Sequence, residues 1–372
     1  MNDEKIKIGL IGCGSISHLI HIPGLKISPG VALLSACDSS LDSARSTAEK
    51  YGFAKVTSDY QDVLQDAEID AVVIATPNDL HRPISLAAIR AGKHILCEKP
   101  LGLNLAECDE MVMEAQKSGK VNMVSFVYRF TPAIRYMKYL VDSGALGEIR
   151  HLRAFYLQRV PEVWLGWRSR RSQAGSGTLG DIGSHIIDLA HYLMGDIKSV
   201  SSWVKTFLPR RRVWGTDRFE EVDVDDASGF LAEFACGATG VFEASRLVPG
   251  RGCGPTEFIS VEINGSVGSV VYYLQDPLKL QFCPGSPYSE DELVTVKVPE
   301  QFLKWNDSPR SYGAGDPVIS FRYDQAYAFI QAIRGSAPDH LADFAAGRRC
   351  QAVVDAVLEA GQSRRWVDVK IK

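Results

Sequence analysis

The sequence predicts an α/β protein of two domains, an N-terminal doubly wound parallel sheet followed by an α+β domain with a large, mostly antiparallel open sheet. Its 372 residues exceed what one hydrophobic core usually holds. Up to residue 141, short apolar runs alternate with helical patterns, which favours a parallel sheet covered by helices. Beyond residue 147, strand-like segments follow one another with few helices. We therefore predict one domain over residues 1–125 and a second over 126–372.

The first strand leads directly into a glycine turn. Ile6–Ile11 is the short apolar run of a strand that is buried on both faces. Gly12 allows a tight turn, and Gly14, which has no Cβ, allows a pyrophosphate to approach the backbone. Ser15 and Ile16 open a helix, whose N-terminal N–H groups and partial positive charge favour an anion. A turn with a purely structural role is the alternative at this point.

A carboxylate at the end of the second apolar run supports dinucleotide binding. The run Val31–Cys37 is followed by Asp38, about twenty residues beyond the glycines, where a carboxylate bonds both hydroxyls of an adenosine ribose. The same charge repels a ribose 2′-phosphate, so we expect NAD rather than NADP. Ser17 stands where a third glycine or alanine is usual, and it is small enough for close packing of helix on strand. Together these features predict a Rossmann NAD-binding domain.

Alternating strands and helices continue the parallel sheet. Because ligands of such sheets bind beyond the carboxyl ends of the strands, the turns at Gly12, Asp38, Thr76 and Glu98 are expected to line one site. The further predicted strands are 54–57, 70–75, His94–Cys97 and 121–127, and the predicted helices are Leu41–Tyr51, 60–66, 83–90, 105–117 and 132–141.

The second domain is predicted from a succession of strands with few helices between them. Asn264-Gly265 is a turn signal between two of these strands. Segment 284–317 is rich in Pro, Ser and Gly, which favours a surface loop. The predicted strands are 149–158, 200–207, 227–235, Thr239–Ser245, 258–263, 268–273 and 366–371, and the predicted helices are 182–193, 320–333 and 347–360.

Composition excludes several classes of partner. A formal net charge of −4 gives no reason to expect nucleic acid or an anionic membrane. The basic cluster Arg210–Arg212 is interpreted as solvated loop. The 8 cysteines are scattered without a CxxC pair, which favours reduced thiols over a disulfide framework or a zinc site. With no apolar run of signal-peptide or membrane-spanning type, we expect a cytoplasmic protein.

Several separated motifs resemble those of the glucose-fructose oxidoreductase and inositol dehydrogenase (Gfo/Idh/MocA) family. The resemblance covers essentially the whole chain, and Ser17 is the visible departure from it. It implies an NAD-dependent oxidoreductase. The motifs are the glycine turn followed by His21 and Pro23, TPNxxH at 76–81, EKP at 98–100, Tyr128-Arg129-Phe130 with Pro132, Gly147-Glu148-Ile149, and Asp181-Ile182-Gly183-Ser184-His185.

The resemblance also implies three catalytic residues. Oxidation of a secondary alcohol needs a base for the hydroxyl proton, and histidine, with a reference pKa of about 6.5, suits neutral pH. The family assigns this role to His185, the interaction with the developing alkoxide to Lys99, and the orientation of substrate or base to Asp181. The structural alternatives are a packed helical histidine and an exposed lysine. A metal site built on Asp181, His185, Asp188 and His191 is not expected.

The resemblance places further residues around cofactor and substrate. Aromatic faces and forked donors suit sugar rings, so the loop 164–168 and its neighbours are candidate substrate contacts. The alternative is that the aromatic residues belong to the core and that Arg129 forms an ion pair. The implied cofactor contacts are Thr76, Pro77, Asn78, His81 and Glu98, and the candidate substrate contacts are Tyr128, Arg129, Trp167 and Arg168.

The resulting hypothesis is an NAD-dependent dehydrogenase of a cyclic polyol, either an inositol or a pyranose sugar. Two alternatives remain, an NAD-dependent glycoside hydrolase of the same superfamily and a non-catalytic NAD(P)-sensing regulator. The open face of the second sheet is where such proteins associate, so we expect a homodimer or homotetramer.

Overall fold

The structure is a computed structural model, and it divides into two compact units that each contain their own sheet. Met1–Val127 with Lys304–Arg348 forms the first unit, and Tyr128–Leu303 with Arg349–Lys372 forms the second. The residues that the structure describes are 5–160, 165–213, 215–252, 257–285, 292–305, 307–311, 316–336 and 341–371.

The first unit includes a segment from the C-terminal half of the chain. Arg334 Nη2 donates to the Pro29 carbonyl over 3.2 Å, and the Val124 N–H donates to the Ala342 carbonyl over 2.7 Å. The division predicted at residue 125 assigns residues 304–348 to the second domain, whereas here they pack within the first unit. Helical periodicity identifies the helices of this segment but does not say which sheet they cover.

The strands of the first unit pair in parallel, as the sequence predicts. They are β1 Ile6–Ile11, β2 Val31–Cys37, β3 Lys55–Thr57, β4 Ala71–Ile74, β5 His94–Cys97 and β6 Asn122–Val124. In the described part of the unit their order is β3-β2-β1-β4-β5-β6, which is that of a Rossmann fold. Every residue of β4 is buried, because strands at the centre of such a sheet are covered on both faces.

The helices begin and end at residues suited to capping. Ser40 accepts a hydrogen bond from the Ser43 N–H at one helix start, and Gly52 ends that helix with a φ of 85°. None of the described helices combines the length and the apolar character needed to cross a bilayer. The α-helices are α1 Ile22–Ile27, α2 Leu41–Tyr51, α3 Tyr60–Gln65, α4 His81–Arg90, α5 Leu105–Ser118, α6 Pro132–Asp142, α7 Arg171–Ala174, α8 Ser184–Met194, α9 Pro317–Ser320, α10 Asp324–Ile333 and α11 Phe344–Ser363.

The second unit contains the predicted mostly antiparallel sheet. The strands of the unit are β7 Ile149–Leu157, β8 Ile197–Lys205, β9 Arg210–Arg212, β10 Phe219–Glu221, β11 Ala227–Phe234, β12 Thr239–Ser245, β13 Phe258–Gly265, β14 Ser269–Tyr273, β15 Lys279–Cys283, β16 Val294–Lys297 and β17 Val367–Asp368. Strands β9 and β10 form a separate antiparallel pair. As far as the structure describes it, the sheet has the order β16-β15-β14-β13-β7-β12-β11-β8-β17. β7 and β12 pair in parallel, and the other neighbours pair antiparallel.

Three local predictions are wrong. Arg210–Arg212 is strand β9 rather than solvated loop, and Arg211 is buried because it pairs with Asp226. Strand β16 lies within segment 284–317, parts of which are outside the described residues, because it adds to the sheet edge at β15. β13 continues through Asn264-Gly265, and the turn follows at 266–268. Each outcome depends on a distant partner that a local pattern does not reveal.

Candidate active site

The glycine turn is tight at its first glycine and open at its second. Gly12 follows β1 with a φ of 102°, and a Cβ there would lie 2.4 Å from the Ala75 carbonyl oxygen. Gly14 is exposed, and nothing lies within 4 Å of the Cβ that it lacks. Ser17 Oγ donates to the Gly12 carbonyl over 2.7 Å, so the serine in the third position ties the turn. The backbone at Gly14 therefore has room for a pyrophosphate.

Asp38 is held beside this turn by backbone donors. Its Oδ2 accepts from the Cys13 N–H over 2.8 Å, and its Oδ1 accepts from the Ser40 N–H over 2.9 Å. Ser15 and Ile16 begin the helical segment that leads into α1. The open Gly14, this helix start and the fixed carboxylate fit the pyrophosphate and adenosine ribose of NAD.

The TPNxxH segment joins two strand ends. His81 is fully buried, with Nδ1 2.8 Å from the Pro100 carbonyl oxygen and Nε2 3.1 Å from that of Thr76. Burial lowers the pKa of His81, although the two carbonyls oppose this. Thr76 Oγ1 is buried and has no hydrogen-bond partner within the described part of the chain. Pro77 leads into a short 3₁₀ turn that begins at the buried Asn78.

Glu98 is a buried carboxylate that fixes the EKP segment. Its Oε1 lies 2.8 Å from His21 Nε2, and its Oε2 accepts from the Lys99 N–H over 3.2 Å. Burial would raise the pKa of Glu98, but the His21 hydrogen bond, the charges of His21 and Lys99, and Ser125 outweigh it and lower the pKa to about 2. Gln325 Nε2 donates to Ser125 Oγ over 3.0 Å, which links α10 to this cluster.

In the second unit, Asp181 lies between two guanidinium groups. It belongs to the π-helical turn Leu179–Gly183, which directly precedes α8. Asp181 Oδ1 is 3.8 Å from Arg168 Nε, and Asp181 Oδ2 is 3.9 Å from Arg246 Nη2. Asp225 anchors the start of the turn, because its carboxylate accepts a backbone N–H from Leu179 over 2.8 Å.

His185 lies on α8 against two tyrosines. Its ring centroid is 4.8 Å from that of Tyr128, edge to face, and 6.1 Å from that of Tyr156. Both tyrosine hydroxyls donate to the buried Glu257 carboxylate over 2.7 Å. The aromatic packing and this carboxylate hold the ring of the predicted base.

The other candidate substrate residues have different surroundings. Arg129 forms a buried bidentate pair with Asp188, with Nε to Oδ2 at 2.8 Å and Nη2 to Oδ1 at 2.6 Å, so its guanidinium holds α8. Trp167 stacks with Arg168, whose guanidinium carbon lies 4.1 Å from the ring centroid. Trp164, the first residue of the predicted contact loop, lies outside the described residues.

The buried titratable residues of α8 lie in different surroundings. Among the residues that the structure describes, no group of three or more His, Cys, Asp and Glu side chains is placed to hold a metal ion. Asp188 is paired with Arg129 instead. Burial and nearby arginines lower the pKa of His191 to about 3.

Sequence reasoning missed three residues of these clusters. Arg246, Glu257 and Gln325 lie far along the chain from the residues that they contact, and none stands in a recognisable motif. Arg246 directly follows β12, a position that only the sheet order relates to Asp181.

The Rossmann sheet, the glycine turn and the fixed Asp38 define the class of this chain as an NAD-binding protein. Family models match residues 6–126, as an oxidoreductase family with an NAD-binding Rossmann fold, and residues 134–271, as a GFO/IDH/MocA C-terminal domain. The chain is 33% identical to levoglucosan dehydrogenase of Pseudarthrobacter phenanthrenivorans, over 98% of both proteins. It therefore belongs to the Gfo/Idh/MocA family of oxidoreductases.

Further relatives support this assignment. Myo-inositol 2-dehydrogenase of Thermotoga maritima is 30% identical over 65% of this chain and 69% of that protein. A solved structure of levoglucosan dehydrogenase in complex with NADH and levoglucosan has a TM-score of 0.88 at 31% identity, covering 99% of this chain and 100% of that one. The predicted family and the predicted NAD cofactor are confirmed, and the chain is an NAD-dependent oxidoreductase.

The two glycines of the turn should respond differently to alanine. Gly14→Ala should fold normally and weaken NAD binding about tenfold or more, because the new methyl group occupies the space of the pyrophosphate. Gly12→Ala should lower the melting temperature, because its methyl group meets the Ala75 carbonyl and its φ is unfavourable for alanine. Calorimetric titration measures the NAD affinity of Gly14→Ala, and thermal unfolding measures the melting temperature of Gly12→Ala. Unchanged NAD affinity of Gly14→Ala would contradict the predicted binding mode.

Glu98 should make stability depend on acid pH. Its folded pKa of about 2 lies below the ordinary value of 4.5, so its contribution is complete above pH 4.5 and is lost as pH falls toward 2. The stability difference between wild type and Glu98→Gln should therefore be about 1.4 kcal/mol smaller at pH 3.5 than at pH 6. Urea unfolding at both pH values measures this difference in stability. Glu110→Gln, which removes a partly exposed carboxylate paired with Arg82, is the control.

Proposed function

We propose that the chain is a dehydrogenase of a cyclic polyol, with an anhydropyranose, pyranose or inositol as the substrate class. The observation that carries the proposal is the similarity along the whole chain to levoglucosan dehydrogenase, for which a complex with NADH and levoglucosan is known. A D-glucoside 3-dehydrogenase of Escherichia coli, 34% identical over 54% of this chain and 58% of that protein, extends the class to glycosides. None of these relatives is named as a hydrolase or a regulator.

We assign the chemical steps to three residues. NAD, when bound, supplies the hydride acceptor at its nicotinamide C4. The His185 imidazole accepts the proton of a ring hydroxyl group. At the same time, the ring carbon that bears this hydroxyl group loses a hydride. The Lys99 ammonium donates a hydrogen bond to the same oxygen as negative charge develops on it. Asp181 orients the hydroxyl or the His185 ring. A positioned base of this kind supplies about 100- to 10,000-fold in rate.

Substrate recognition is proposed for the side chains around Asp181 and His185. Trp167 offers an aromatic face, and Arg168, stacked on it, offers the forked donors that polyhydroxylated rings accept. Tyr128 packs on His185 and is proposed to border the reacting ring. Arg129 contributes through its pair with Asp188, which holds the helix that carries His185.

Thr76, Pro77, Asn78, His81 and Glu98 are proposed to border the nicotinamide half of NAD. Two features of the first unit support this proposal. The unpartnered Thr76 hydroxyl is a buried group that a ligand oxygen would satisfy. The His81 ring lies between the Pro100 and Thr76 carbonyls, 2.8 and 3.1 Å from its two nitrogens, and so packs between the two segments next to which the ligand would lie.

A homodimer or homotetramer is proposed to form through the open face of the second sheet. Trp203 and Leu231 are each about half exposed on this face. They line a groove of about 340 Å³ together with Phe155 and Val241. An exposed apolar patch of this kind is typical of an association surface.

A cytoplasmic location is also proposed. The cysteines within the described ranges form no disulfide, and five of them, Cys13, Cys37, Cys97, Cys108 and Cys350, are buried. Cysteines in this number without a disulfide among them are typical of a reducing compartment.

Turnover tests the proposed chemistry. With NAD and a panel of anhydrosugars, pyranoses, inositols and aryl glycosides, we expect NADH to appear with at least one free polyol. Lys99→Ala and His185→Ala should each lower kcat about 100-fold or more and leave the NAD dissociation constant within about twofold. Stopped-flow absorbance at 340 nm measures kcat, and calorimetric titration measures the NAD dissociation constant. Release of aglycone without NADH would contradict the dehydrogenase, and equal loss of kcat and NAD affinity would contradict the assigned roles.

Charge on the open sheet face should dissociate the oligomer. The wild type should sediment as a species larger than one chain, and Trp203→Glu with Leu231→Glu should sediment as one chain, because association would bury the new charges. Met113→Glu, at an exposed apolar residue of α5, is the matched control. Sedimentation velocity distinguishes the species, and a monomeric wild type would refute the proposed assembly.

A further inference from the structure

Arg246 is a buried cation directly behind the loop that carries Asp181. Its side chain is only 5% exposed. Its Nε donates to Thr178 Oγ1 over 2.6 Å, and the Thr178 hydroxyl donates to the Asp226 carbonyl over 2.9 Å. This chain of hydrogen bonds fixes the guanidinium in one orientation relative to the π-helical turn Leu179–Gly183.

The outer edge of this guanidinium faces Asp181. Arg246 Nη2 is buried, has no hydrogen-bond partner among the described residues, and lies 3.9 Å from Asp181 Oδ2. At that distance the interaction is Coulombic rather than a hydrogen bond. Arg168, on the other side of Asp181, is 56% exposed, so solvent screens its charge much more strongly. Of the two arginines, Arg246 therefore exerts the stronger electrostatic attraction on the Asp181 carboxylate.

The other carboxylates around Arg246 already have partners. Asp226 pairs with Arg211 and accepts the Phe207 and Leu208 N–H groups. The Asp225 carboxylate accepts the N–H groups of Gly177 and Leu179 over 2.7 and 2.8 Å. A buried cation requires nearby negative charge. Asp225 interacts with Arg246 electrostatically, and Asp181 is the carboxylate that Arg246 Nη2 faces, at 3.9 Å.

We propose that Arg246 is a positioning residue that holds the Asp181 carboxylate in place, one helical turn before His185. The inference rests on the proposed function of Asp181 as the group that orients the substrate hydroxyl or the base. Arg246 thus acts on the reaction through Asp181, without contact to substrate or cofactor.

A double-mutant cycle tests this coupling. Arg246→Met should lower kcat about 10- to 100-fold and leave the NAD dissociation constant within about twofold, because a misplaced orienting group slows chemistry. In an Asp181→Asn background the same substitution should change kcat less than about threefold, because its target is already absent. Arg246→Lys, which retains the charge, should recover at least about half of the lost activity on a logarithmic scale.

Arg211→Met is the matched control, because Arg211 is a buried arginine of the same network that pairs with Asp226 instead of Asp181. Its effect on kcat should be the same in the wild-type and Asp181→Asn backgrounds. The same double-mutant cycle is also carried out with the equilibrium constant of urea unfolding as the measured quantity. In this cycle the effects of substituting Arg246 and Asp181 should deviate from additivity by a factor of about five or more.

The outcomes separate the inference from the function on which it rests. Additive effects of Arg246→Met and Asp181→Asn in both measurements would overturn the inference, whether or not the wild type is active. Coupling equal to that of the Arg211 control would also overturn it. A wild type without turnover on any polyol refutes the proposed function, and the unfolding cycle still decides whether the two residues act as a pair.

Discussion

The pairing of β1 with β2 and β4 is the interaction on which the cofactor site depends. Parallel pairing of these strands brings their carboxyl ends to one edge, so Gly12, Asp38 and Thr76 lie at the ends of neighbouring strands. At this edge, short contacts with backbone atoms hold the glycine turn and the Asp38 carboxylate in place. Gly12 passes so close to the Ala75 carbonyl that only glycine fits, and the Cys13 and Ser40 N–H groups hold the Asp38 carboxylate. A rigid frame of this kind binds NAD with little reorganisation.

Buried charges support the proposed catalytic residues in both units. Glu98 with His21 braces the backbone of Lys99, and Arg246 with its hydrogen-bonded network lies behind Asp181. Both groups adjoin a π-helical turn, Ser17–His21 in one unit and Leu179–Gly183 in the other. Such turns are rare and are frequent at functional sites, because they aim side chains that a regular helix would not. The hydrogen-bonded side chains in these networks have few alternative conformations, which suits residues that must be held in place for chemistry.

Much of the first unit could be predicted from sequence, because its signals are local. A buried apolar strand, a glycine turn and a carboxylate after the next strand occur within the first 38 residues, and β1 and β2 have the predicted bounds. The role of Ser17 depends on the Gly12 carbonyl, a contact that small size alone did not suggest. The return of residues 304–348 and the burial of Arg211 depend on partners far along the chain. Arg246 and Glu257 could not be found for the same reason.

The isotope content of the product tests the central claim most directly. The protein would be incubated with NAD and a polyol deuterated at its ring carbons, and the NADH formed would be analysed by mass spectrometry. Hydride transfer from a ring carbinol carbon predicts one deuterium at the nicotinamide C4 of each NADH. Unlabelled NADH, or return of all deuterium to a cleaved sugar with no net NADH, would contradict the account.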